Sequence, residues 1–287
     1  MEERSSRPGA APIYHGCRGR ALRIFEASCL CYFAYTLAVA IGHPAVPQPR
    51  RRRIVAISVA AAAGIFAATR LELDGAVGFA IRNLALPGGA ILVAYWTSGL
   101  FFVAPQSTLE RRLLALDDRL GVRAAAERLP DAAGALFELA YFSIYPTIPV
   151  GLAILFTSGG GADVDRYWTT VLVSDFLCFA CLPWIQVRTP AALEPPLERS
   201  GLARRVNHLI ARHASIQVAT VPSGHAAEAL AVPLALAGVN PLAAAPLFLL
   251  ALGVAAGAVF GRYHYAADAV AGYAVAVVVW GLVSALM

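Results

Sequence analysis

Two short stretches near the end of the chain hold residues whose types and spacing suit acid–base and nucleophilic chemistry on an oxyanion. Val221-Pro222-Ser223-Gly224-His225 opens one apolar helical run, and Phe260-Gly261-Arg262-Tyr263-His264-Tyr265-Ala266-Ala267-Asp268 opens another. The first N–H groups of a helix lack intrahelical acceptors, so a helix starting at Pro-Ser-Gly-His can bind an anion there. Gly224 lets the backbone approach a ligand, Ser223 can either cap the helix or donate its hydroxyl to phosphate, and His225 can protonate a leaving group. A Pro-Ser helix start with a histidine at a membrane interface would have the same sequence, so this segment needs a partner.

His264 and Asp268 provide one. Four residues apart, they share a face if helical. A carboxylate in that position fixes the imidazole tautomer and stabilises the imidazolium, which leaves the other ring nitrogen to attack. The same spacing also occurs in plain hydrogen-bonded helix pairs. Arg262, two residues before His264, and Arg188, which follows Leu182-Pro-Trp-Ile-Gln-Val187, can both reach an interfacial phosphate; an arginine at a span end can equally be a membrane-edge anchor. Glu228 lies one turn deeper than His225. A carboxylate in an apolar run is costly unless paired or functional, so Glu228 either tunes His225 or touches a polar headgroup. Asp175 and Glu138 are expected to be structurally paired.

The elements that position these residues belong to a membrane. The chain has 287 residues, 59% hydrophobic and 14% charged, where soluble chains have roughly 45–50% apolar and about 25% charged residues. Apolar runs near 22–43, 54–70, 84–104, 132–157, 167–187, 223–240, 242–261 and 265–286 reach or approach the length of a membrane span. An all-α polytopic bundle of six to eight transmembrane helices follows, with a polar tail over 1–20 and a single membrane domain over 21–287. The first run is too long for a cleaved signal and should persist. Gly238, Asn240 and Pro241 mark a turn between the sixth and seventh runs.

The connections carry the charge. Arg50 to Arg53 follow a Pro-rich loop over 43–53; Ser107-x-x-Glu110 has capping-box spacing ahead of Leu109, Leu113, Leu116 and Leu120, which fit either a surface helix or packing on neighbours. Residues 188–221 form a polar connection with Arg188, Arg199, Arg204, Arg205 and Arg212. All 23 basic residues are arginine, so any phosphate clamp is guanidinium and a Schiff-base lysine is excluded. The net charge of +5 is spread over the loops and does not indicate nucleic-acid binding. Cys17, Cys29, Cys31, Cys178 and Cys181 form no metal-type cluster and read as packing residues.

If the run over 167–187 exits on one membrane face, the next re-enters there at about 222 and returns near 261–264, so Arg188, His225 and His264 share that face. This set resembles the type-2 phosphatidic acid phosphatase superfamily, whose fold is shared with vanadium haloperoxidases and bacterial acid phosphatases. The family pattern is Lys-x6-Arg-Pro, Pro-Ser-Gly-His and Ser-Arg-x5-His-x3-Asp. The resemblance covers roughly 165–287, the implied catalytic core, with a weaker likeness over 105–157 through Asp117 and Tyr141-Phe-Ser-Ile-Tyr145. Only the middle motif matches throughout: the first-motif lysine position falls on Cys181, Arg188 is followed by Thr189 with Pro190 one place late, and the third-motif arginine position falls on Ala258. Arg262 stands where it can substitute, a departure similar to that of inositol phosphorylceramide and sphingomyelin synthases.

The resemblance implies a helical core, metal-independent and cofactor-free hydrolysis, and a phosphohistidine intermediate. It implies that His264 is the nucleophile, Asp268 orients it, His225 is the acid, and Ser223, Gly224 and Arg188 bind phosphate. The expected function is hydrolysis of a lipid phosphate or pyrophosphate. Transfer of a phospho-headgroup to an alcohol acceptor is the alternative, and a non-enzymatic transporter or scaffold with a degenerate site is a third reading. The expected partners are a lipid phosphate and the surrounding membrane lipids; oligomeric state stays open. The expected location is a bacterial plasma membrane with the site facing away from the cytoplasm, an orientation that Arg50 to Arg53 oppose.

Overall fold

The computed structural model describes residues 22–70, 75–195, 197, 201–216 and 218–287. The tail over 1–20 with its Cys17, and Arg199, lie outside the described residues. The helices are α1 (Ile24–Gly42), α2 (Gln48–Arg70), α3 (Gly75–Ala80), α4 (Leu86–Gly99), α5 (Ser107–Arg119), α6 (Val122–Arg128), α7 (Asp131–Phe142), α8 (Ile144–Thr157), α9 (Val164–Ala180), α10 (Leu202–His213), α11 (Gly224–Leu236), α12 (Pro241–Phe260) and α13 (Ala266–Leu286). A π-helical turn, Ile81–Ala85, joins α3 to α4. Among the described residues the only β pairing is an antiparallel bridge between Val187 and Ala219.

Each of the eight apolar runs becomes helix. Five stretches are long and apolar enough to cross a membrane unaided: α1, α2, α3 with α4, α12 and α13. The run over 132–157 is apolar enough only when α7 and α8 are taken together, and it is broken at Ser143, where the two helices meet at 57°. Pro146 explains the break, because it has no N–H to donate to the carbonyl of Phe142 and crowds the preceding turn. Leu242, Leu249, Val270 and Leu286 point outward from these helices, an apolar exterior suited to lipid. The protein is an integral membrane protein with a helical bundle fold.

The remaining two apolar helices form the centre. On α9, Tyr167, Trp168, Val171, Leu172, Phe176 and Phe179 are buried, and the helix packs on α1, α4, α11 and α13. α11 is short and buried on nearly every side through Ala226, Ala227, Ala229, Ala231, Val232 and Ala235. Such small side chains let α9, α12 and α13 close around it. At its start a Cβ on Gly224 would meet Phe179 at 2.9 Å, and a Cβ on Gly272 of α13 would collide with the carbonyl oxygen of Ser223. The turn between α11 and α12 forms where Asn240 and Pro241 stand: Ala243 N–H donates to the Asn240 side chain at 3.0 Å, and Pro241 fills the first helical position.

Three connections differ from expectation. Arg50 to Arg53 belong to the first turns of α2 rather than to a loop. Basic residues there oppose the helix dipole, and the chain offsets this by placing Arg51 on the carbonyls of His43 and Val46 and Arg50 on that of Phe102. The capping box at Ser107 does not form: α5 has no side-chain cap, because Glu110 is held by Arg188 instead. Leu109 and Leu113 pack inward while Leu116 and Leu120 are exposed, so both readings of that leucine stripe hold in part. Finally, the connection over 188–221 contains the amphipathic helix α10.

The contact between Gly272 and Ser223 yields a prediction. Gly272→Ala overpacks that crossing at a cost of about 1–3 kcal/mol, read as a lower melting midpoint in detergent. Gly281→Ala, where a Cβ meets nothing, leaves the midpoint unchanged.

Candidate active site

Three chain segments meet at one end of the bundle. The N–H of Ser223 donates to the carbonyl of Asp268 at 2.9 Å, docking the start of α11 onto the first turn of α13. Ala219 N–H donates to the Val187 carbonyl at 3.1 Å, and the Tyr265 hydroxyl donates to the Arg188 carbonyl at 2.9 Å, which adds the segment leaving α9. The turn from α12 to α13 reverses at Arg262, whose φ of 64° is unusual for a residue other than glycine. Hydrogen bonds hold it on both sides: Ala191 N–H donates to the Arg262 carbonyl at 2.9 Å, and the Tyr263 and His264 N–H groups both donate to the carbonyl of Ala258.

His264 projects from this turn with Nδ1 3.2 Å from Oδ2 of Asp268. Both side chains are buried. With Nδ1 on the carboxylate, Nε2 is left to face a reactant. The His225 ring lies across from it, centroid to centroid 5.7 Å. Both histidines line a cavity of about 350 Å³, together with Tyr141, Arg262 and Tyr263. Tyr263 stacks on Tyr141 at 4.5 Å, and Tyr141 in turn contacts His225 at 5.3 Å, so an aromatic column holds the His225 ring.

Ser223 and Gly224 stand behind His225 rather than in the cavity wall. Of the two uses open to Ser223, the structure has the cap: its Oγ accepts from Ala226 N–H at 3.3 Å, while Gly224 N–H donates to Oγ1 of Thr220 at 3.1 Å. Arg188 also lies outside the wall. Its main chain and guanidinium both donate to Glu110, with Nη2 to Oε2 at 2.8 Å. Arg262 is in the wall and only 2% exposed, with Nη1 donating to Asp117 and Nε to Glu194, each at 2.8 Å, and Nη2 buried without a partner. Burial lowers the proton affinity of Arg262, but Glu194 and Asp117 more than offset it, and the group is held firmly cationic.

Sequence reasoning missed most of this supporting layer. Glu138 is paired as expected: Arg204 donates to Oε1 at 2.7 Å, and Asn207 and the Tyr263 hydroxyl to Oε2 at 2.7 and 2.8 Å. Asp175 corrects the matching expectation, since both its oxygens are buried without a hydrogen-bond partner. Glu228 sits within electrostatic reach of Asp175, Tyr145 and Tyr167, deeper than the cavity. His208 on α10 lines the cavity, and burial followed by the Arg204 charge depresses its pKa, so at neutral pH it is an uncharged imidazole. Among the described residues no group of three or more His, Cys, Asp or Glu could hold a metal ion.

Residues 111–282, more than half of the chain, match a family model described as the PAP2 superfamily. No curated protein and no solved structure matches the chain. The matched stretch begins in α5, well ahead of the two histidine motifs, and takes in Asp117, Glu138 and Glu194 as well as the three segments that meet at the cavity.

Two predictions test this layer. Asp117→Ala leaves Arg262 buried with one carboxylate fewer, which costs about 3–5 kcal/mol; the measurement is the melting midpoint of the purified protein. For Glu110, the hydrogen bond from Arg188 holds the carboxyl below its usual range. Its contribution to stability is therefore present above the ordinary carboxylate pKa and lost as pH falls through the lowered value. Glu110→Gln should melt below wild type at neutral pH and converge with it in acid.

Proposed function

The chain belongs to the PAP2 superfamily, a family of phosphatases and phosphotransferases, and from that premise we propose that it is a metal-independent phosphatase that hydrolyses a lipid phosphate or lipid pyrophosphate through phosphohistidine at His264. The observation that carries this reading is the His264–Asp268 pair at 3.2 Å facing His225 across the floor of one cavity.

The proposed reaction uses the two histidines in opposite senses. Nε2 of His264 attacks phosphorus while the bond from phosphorus to the leaving oxygen breaks, and His225 gives its proton to that oxygen. Asp268 accepts the Nδ1 hydrogen bond throughout and stabilises the imidazolium as it forms. Water then attacks phosphorus, His225 takes the water's proton, the phosphorus–nitrogen bond breaks, and inorganic phosphate leaves with His264 restored. Charge on the transferring group is met by the field of the cationic Arg262 in the cavity wall. The apolar exterior of the surrounding spans suits a substrate whose tail stays in the bilayer.

The test is phosphate release from a panel of lipid phosphates and pyrophosphates by the purified protein in excess chelator. Wild type should release phosphate, His264→Ala should release none above background, and His225→Ala should be slower by about 10²–10⁴-fold. Full turnover by His264→Ala would overturn the nucleophile. Phosphate leaving the donor only when a lipid alcohol is added would make the enzyme a phosphotransferase.

A further inference from the structure

A phosphate monoester carries nearly two negative charges to this cavity, yet most guanidinium groups near it are already neutralised. Arg204 is bound to Glu138, Arg262 to Asp117 and Glu194, and Arg188, outside the wall, to Glu110. The two further basic positions of the family pattern carry Cys181 and Ala258. Arg212 differs from all of these. It lines the cavity from the last turn of α10, is exposed, and has no ion pair or hydrogen bond among the described residues.

The placement of Arg212 follows from how α10 is built. Arg204, Asn207, His208, Ala211 and Arg212 recur at helical spacing and line the cavity, while Leu202 and Leu209, 78% and 59% exposed, form the opposite stripe. Glu138 anchors the cavity side by accepting from both Arg204 and Asn207. Arg212 lies about two turns beyond Arg204 and lines the same cavity. Arg262 in the wall is buried and bound by Asp117 and Glu194.

We propose that Arg212, presented to the cavity by α10, is the phosphate clamp of this protein, with the buried cation of Arg262 adding its field from the wall. The inference rests on the phosphatase reading for its choice of substrate, a dianionic phosphate ester or pyrophosphate, but the anion site stands on its own geometry. A planar guanidinium fork gives an entering phosphate paired charge-assisted hydrogen bonds that a point charge would not. Arg212 is a binding residue outside the three motifs, so its loss should act on KM more than on kcat.

The experiment is calorimetric titration of the full chain in detergent with inorganic phosphate, alongside melting curves. Because Arg212 is exposed and unpaired, Arg212→Gln should melt as wild type does, and its phosphate affinity should fall about tenfold or more. Arg212→Lys, which keeps the charge without the planar fork, should fall between the two. Arg205→Gln, two turns earlier on the same helix and outside the cavity wall, should bind as wild type. Wild-type affinity in Arg212→Gln, an equal loss in Arg205→Gln, or no phosphate binding by the wild-type protein would each overturn the clamp. Arg212-dependent phosphate binding without hydrolysis of any lipid phosphate would leave the clamp standing and remove the phosphatase reading.

Discussion

One main-chain hydrogen bond, from Ser223 N–H to the Asp268 carbonyl, sets the register on which the site depends. Asp268 uses its backbone to hold the start of α11 and its carboxylate to hold His264, so a single residue fixes the positions of both histidines. Gly272, one turn along α13, permits the approach because any Cβ there would strike the Ser223 carbonyl. The small residues of α11 extend the same close packing along the helix. The spacing of His225 and His264 is thus a property of helix packing, and a shift at that crossing would separate the two rings.

Around this crossing the charges are arranged in closed sets. Arg262 lies between Asp117 and Glu194, and Glu138 gathers Arg204, Asn207 and Tyr263. Buried ion pairs contribute little net stability, because desolvation offsets most of the attraction, but each fixes one arrangement over its alternatives. Here they hold the left-handed turn at Arg262 and seat α10 over the cavity. Among the described residues that line the cavity, Arg212 alone is an arginine outside these sets.

Much of this was legible in the sequence where local periodicity decides the outcome. The four-residue spacing of His264 and Asp268 marked a real pair, although His264 stands in the turn before α13 and not on the helix, and the eight apolar runs all became helix. What escaped was set by partners far along the chain. Arg262 meets Asp117 across 145 residues, and Glu110 leaves its own helix start to hold Arg188 across 78. The capping box therefore failed although its residues were in place. α10 was hidden because its arginines read as loop charge, whereas Arg204, Asn207, His208, Ala211 and Arg212 fall on one helical face. The bend at Ser143 was signalled by Pro146, but the length of the apolar run suggested one straight span. Asp175 fits neither account, and we have no physical explanation for its unpartnered carboxylate.

The central claim, that His264 carries the phosphoryl group, is tested most directly by trapping it. In His225→Ala, a labelled aryl phosphate whose leaving oxygen needs no proton would still load the nucleophile, while the missing base would slow its release. Alkaline quench and peptide mapping should then place a base-stable phosphate on His264 and show none in His225→Ala, His264→Ala. Label on any other residue, or turnover with no protein-bound phosphate at all, would contradict the account.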